Sequence, residues 1–136
     1  MKKIKLPYTS ERIIGVSLPI KGVYYVCDHD EVHEVTISPN VSVRVLDNDP
    51  FEMLESLPLK LSLYEEKPLI SINENSISYT FEPTKDYVDV NYIINGETGN
   101  IRFGILSGDW FSASFSNCGN YLMLAEPYEY ALYCIK

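Results

Sequence analysis

The sequence predicts an all-β fold: an antiparallel β-sandwich or partly open barrel of about ten strands, with one short helix near residues 50–57. Three observations carry this. Eleven tyrosines, with many Val, Ile, Ser and Thr, favour strands. Turn residues recur at short intervals, as they do in all-β chains. One segment alone combines helix start and stop signals. The chain has 136 residues, 46% of them apolar and 22% charged, which suits one packed domain spanning 1–136. No linker or low-complexity stretch divides it.

Taken in chain order, Val23-Tyr24-Tyr25-Val26-Cys27 and Val32-His33-Glu34-Val35-Thr36-Ile37 flank a polar tip at residues 28–31. A symmetric hairpin puts Tyr24, Val26, Val35 and Ile37 on the inward face, and Tyr25, Glu34 and Thr36 on the other. Residues 41–46 alternate again. The helix follows: Asp49 is its N-cap, Pro50 its first residue and Glu52 the partner in a capping box. Phe51, Leu54 and Leu57 form its apolar stripe, and Pro58 ends it. It is too short to hold without tertiary packing. Residues 59–64, 69–72 and 76–81 read as strands. Residues 87–94 and 101–106 form a second hairpin around the connection 95–100. Residues 111–115, 121–125 and 130–135 close the chain.

Charge narrows the function. Eleven Lys and Arg against nineteen Asp and Glu leave a net charge of −8. Phosphate contacts need a basic footprint, so direct nucleic-acid binding is not expected. No stretch of about 18 apolar residues exists, so no membrane span is expected. Residues 1–22 sum to +4, residues 23–66 to −8 and residues 67–136 to −4. The lysines at the start precede no apolar run, which predicts no secretion signal. Cys27, Cys118 and Cys134 are odd in number and contain no C-x-x-C pair. They read as small buried hydrophobes in a reducing, cytoplasmic setting, with no disulfide framework and no cofactor.

Catalytic signatures are sparse. There is no Gly-x-Ser-x-Gly elbow, and Ser107-Gly108-Asp109 reads as a turn. Gly96-Glu97-Thr98-Gly99 lacks the Lys and the following helix of a phosphate loop. Carboxylate pairs occur at Asp47 and Asp49, Glu65 and Glu66, and Asp86 and Asp89, with nothing to mark a cleft between them. Cys27 beside the histidine-bearing hairpin is the least remote Cys–His pair. The tip 28–34 is the one place where imidazoles and carboxylates gather. His29, Glu31 and His33 would share a face, and could hold a divalent metal, if the second strand began early. A turn at the tip breaks that alternation. Tyr121, Tyr128, Tyr130 and Tyr133 crowd the last strands and could form a sugar-stacking platform.

Two resemblances add to this. Within residues 109–135, Trp110-Phe111-Ser112-Ala113-Ser114-Phe115-Ser116, the turn Asn117-Cys118-Gly119-Asn120 and Tyr121-Leu122-Met123-Leu124 together resemble a blade of a WD-repeat-like β-propeller. The closing Trp-Asp pair is replaced by Tyr133-Cys134-Ile135, and no Gly-His pair opens the blade. This resemblance implies a structural or assembly subunit whose blades or edges pair with another chain. In type, a small, acidic, motif-poor β protein also resembles bacterial immunity proteins, which block toxins. That resemblance implies a non-catalytic module binding a basic protein partner, such as a nuclease-like toxin domain. Its contacts would be Asp28, Asp30, Glu31, Glu34, Asp47, Asp49, Glu52 and Glu55, with Tyr25 as an aromatic anchor. The alternative is a metal- or carbohydrate-binding β protein or enzyme that uses His29, Glu31 and His33 or the tyrosines.

Overall fold

A computed structural model describes residues 1–6, 12–62 and 67–135. Thirteen strands and one helix follow one another: β1 Lys2–Lys3, β2 Ile13–Ser17, β3 Val23–Asp28, β4 Val32–Thr36, β5 Ser42–Leu46, α1 Pro50–Ser56, β6 Lys60–Ser62, β7 Ser71–Ile72, β8 Asn75–Ser78, β9 Tyr87–Ile94, β10 Glu97–Gly104, β11 Ser112–Phe115, β12 Tyr121–Glu126 and β13 Glu129–Cys134. All pairings are antiparallel. They form three sheets, ordered β5-β4-β3-β2-β6, β1-β13-β12-β11 and β10-β9-β8-β7.

The sheet containing β11–β13 lies between the other two, so the sandwich has three layers where two were expected. Its alternate residues enter different cores. Leu122, Leu124 and Ala131 meet Val88, Val90 and Phe103 of the β7–β10 sheet. Met123, Ala125 and Leu132 meet Val16, Tyr24, Val26 and Val35 of the five-stranded sheet. A strand covered on both faces reads as a continuous apolar run, and Tyr121-Leu122-Met123-Leu124-Ala125 is one.

The first hairpin pairs Tyr24 with Val35 and Tyr25 with Glu34, in the expected register. Tyr24, Val26 and Val35 are buried, and Ile37 packs against the same core. At its tip end the opposite face is also buried, because Cys27 and Val32 pack under Leu54 of α1 with Ile14. Asp49 caps α1 as expected: its Oδ1 accepts from the N–H groups of Phe51 (2.9 Å) and Glu52 (3.1 Å). The expected apolar stripe is corrected at one position. Phe51 is 46% exposed, while Pro50 and Leu54 are buried and Met53 and Leu57 half-buried.

Further boundaries differ from expectation: β1 was not expected, and the expected strands 69–72 and 76–81 are the shorter β7 and β8. Strand β2, with Ile13 and Val16 in the core, was not foreseen. Of the expected strand 59–64, β6 is the described part; residues 63 and 64 lie outside the described residues. The second hairpin turns in two residues, not six. Asn95 (φ 54°) and Gly96 (φ 78°) are both left-handed, the requirement of a tight primed turn, so pairing begins at Ile94 with Glu97. Thr98-Gly99-Asn100 is therefore strand. Tyr92, opposite Gly99, lays the far end of its ring over the glycine, so a Cβ there would displace the ring.

Candidate functional site

One end of the five-stranded sheet gathers six of the twelve exposed acidic side chains among the described residues. Val32 pairs with Leu46, so the tip before Val32 lies beside the segment that follows Leu46. That segment, Asp47-Asn48-Asp49, leads into α1. The imidazole of His29 on the tip meets the ring of Phe51 on the helix, edge to face at 6.1 Å. This contact joins hairpin tip and helix start. Asp30, Glu31, Asp47, Asp49, Glu52 and Glu55 are all exposed around it. From residue 23 to residue 59 the only Lys or Arg is Arg44, and its guanidinium bridges Glu34 (2.9 Å).

Two of the expected contact residues take other roles. Asp28 is only 4% exposed and is not a surface group. Its Oδ1 accepts from the N–H groups of Asp30 (2.8 Å) and Glu31 (2.6 Å), closing an Asx turn, and its Oδ2 lies 3.9 Å from His33 Nδ1. A short acid at the first turn position satisfies the turn's own donors, which explains its burial. Glu34 and Tyr25 form a ladder across three strands. Tyr25 donates to Glu34 Oε2 (3.2 Å), and Arg44 donates to Glu34 Oε1. Both Tyr25 and Glu34 are half-buried, and burial followed by the neighbouring carboxylate raises the Tyr25 phenol above its usual range.

The proposed metal face is divided by the turn. His29 is exposed on the tip, and His33 is buried in β4. Among the described residues no group of three or more His, Cys, Asp or Glu is placed to hold a metal ion. The nearest Cys–His pairing also lacks reactivity. Cys27 is fully buried, and burial beside Asp28 pushes its thiol up to about 12, far from a thiolate at neutral pH. Cys118 is exposed. The carboxylate pair Glu65 and Glu66 lies outside the described residues. Asp89 is held below the usual carboxylate range by its two-point bond to Arg102 (2.8 and 2.9 Å). The tyrosine platform is dispersed. Tyr121, Tyr130 and Tyr133 pack against the cores and Tyr128 is exposed on a turn.

A carboxylate that sequence reading passed over sits at the opposite hairpin. Glu126 is fully buried and accepts from the N–H groups of Leu106 (2.7 Å), Ser107 (3.1 Å) and Tyr128. It ties the loop before β11 to the β12–β13 turn. Beside it, Arg12 pairs with Asp109 and lies 5.5 Å over the Tyr128 ring. The only hint in the sequence is an acid directly before a Pro-Tyr turn. Among the described residues no helix is long and apolar enough to cross a membrane. No family model, curated protein or solved structure matches this chain.

Proposed function

We propose that the protein is a non-catalytic, cytoplasmic binding module of the immunity or antitoxin type, which uses this acidic end to neutralise a basic protein such as a nuclease-like toxin. The observation that carries the reading is the His29–Phe51 contact. It makes one surface from two segments distant in sequence, with six exposed carboxylates around an exposed aromatic ring. Such a field steers a cationic partner and speeds encounter, while a desolvated aromatic side chain supplies affinity. The contact set is Asp30, Glu31, Asp47, Asp49, Glu52 and Glu55 with Phe51. Asp28, Glu34 and Tyr25 serve the scaffold beneath.

The test is a pull-down from source-cell lysate at low and physiological salt, read by mass spectrometry. The expected result is one basic protein, released as salt rises. Combined Asp30→Asn, Glu31→Gln and Glu52→Gln changes, or Phe51→Ser alone, should abolish its capture. A captured protein indifferent to salt and to these changes would overturn the reading. So would a bait that retains bound metal or sugar and no protein.

A further inference from the structure

We propose that the free edge of β10 pairs with the same edge of a second copy of this chain, joining two four-stranded sheets into one continuous sheet. This inference is independent of the acidic end. Strand β10 is eight residues long, lies at the edge of its sheet, and runs without a register shift from Glu97 opposite Ile94 to Gly104 opposite Tyr87. No described strand pairs with its other side. The other sheet edges are shorter: β1 and β7 have two residues each, β6 three, β11 four and β5 five. Strand β10 contains no Pro, no Lys and no bulge, and its one cation, Arg102, is tied to Asp89 of β9.

The turn decides which backbone groups are free. A two-residue hairpin closes on a pair that exchanges both hydrogen bonds, here Ile94 and Glu97. Such pairs recur at every second residue, so 99, 101 and 103 bond to β9. The bond from Ile105 N–H to Asp86 O (2.8 Å) continues the set. The N–H and C=O groups of Thr98, Asn100, Arg102 and Gly104 therefore point away from β9. The side chains of Thr98, Asn100 and Arg102 are exposed on the outer face, and those of Ile101 and Phe103 turn to the core.

A two-fold axis through Ile101 uses all four free residues. Thr98 then faces Gly104 of the second copy and Asn100 faces Arg102, giving about eight backbone hydrogen bonds. The two Ile101 side chains meet on the core face. No like charges stand opposite one another. The axis also lies in a part of the chain with little net charge: residues 87–104 hold Asp89, Glu97 and Arg102, the first and last already paired. Of the −8 charge of each copy, the described residues 23–62, which belong to another sheet and its helix, carry −6.

Sedimentation over a wide concentration range tests this. The expected species at high concentration has twice the 15.5 kDa chain mass and persists when salt is raised. Asn100→Lys places a cation opposite Arg102 and weakens the dimer about tenfold or more, while the melt taken at concentrations where both proteins are monomeric stays unchanged. For a direct readout of register, Cys118→Ser and Cys134→Ser are combined with either Ile101→Cys or Thr98→Cys. Under oxidised glutathione, Ile101→Cys should form an inter-chain disulfide, because opposed residues at a non-bonded pair sit within disulfide reach. Thr98→Cys should not. A monomer at every concentration overturns the proposal, as does a dimer that dissociates in salt or fails to cross-link through position 101.

Discussion

The two hairpin ends at Asp28 and Glu126 use the same device with different reach. Each strand finishes in a buried carboxylate that accepts backbone N–H groups. Asp28 Oδ1 bonds its own turn, two and three residues ahead, and its Oδ2 lies 3.9 Å from His33 Nδ1 on the next strand. Glu126 reaches one donor in its own turn and two in a loop about twenty residues back. The longer side chain spans between elements, and the shorter one closes a local ring. A short-range cap is written in adjacent residues, whereas a long-range one depends on where the chain returns. The hairpins meet at Tyr24 on β3 and Tyr130 on β13, whose hydroxyls lie 3.0 Å apart with rings edge to face at 5.9 Å.

Changes at these positions should separate in size. Glu126→Ala strips the charged acceptor from three backbone donors, and should cost about 3–5 kcal/mol in urea unfolding. A cost below that of the Asp28 variant would remove the contrast. Asp28→Ala loses two local acceptor bonds and should cost about 1–3 kcal/mol, while Asp28→Asn keeps an Asx turn and should recover most of it.

Tyr24→Phe should cost about 1 kcal/mol and should also change the alkaline limb of stability. Burial, then Tyr130, raises the Tyr24 phenol well above its ordinary range. A raised pKa on a neutral acid means the folded state holds its proton longer. The stabilisation is complete below the unfolded pKa near 10 and is lost as pH rises beyond it. Cys27, raised to about 12, acts in the same sense from its lower ordinary range. Denaturant midpoints measured from pH 8 upward should fall less steeply for Tyr24→Phe than for the native chain. Native-state alkylation should label Cys118 and spare Cys27 until unfolding. The smallest effect belongs to Arg12→Ala. The Arg12–Asp109 pair stands beside Glu126 but is solvent-exposed, and should leave the melting temperature within error.

Much of the fold was legible because local chemistry points one way there. The β3–β4 register follows from alternation with a polar tip, the α1 cap from Asp49-Pro50, and β9 from its β-rich run. Strand β2 was not legible: Ile-Ile-Gly-Val-Ser is short, interrupted by Gly and buried throughout, so it shows no alternation. Asp28 illustrates the limit at the candidate site. An acid in a polar tip reads as solvated, and only the turn geometry reveals that it faces its own backbone.

The sequence by itself determined the all-β class, the acidic balance and the tip of the first hairpin, since strand preference, charge and turn chemistry are properties of neighbouring residues. Tertiary structure alone decided the third layer, the burial of Glu126, the exposure of Phe51 beside His29 and the uncovered edge of β10. Each of those depends on which distant segments pack together, and packing is set by the summed burial of many residues rather than by any local pattern.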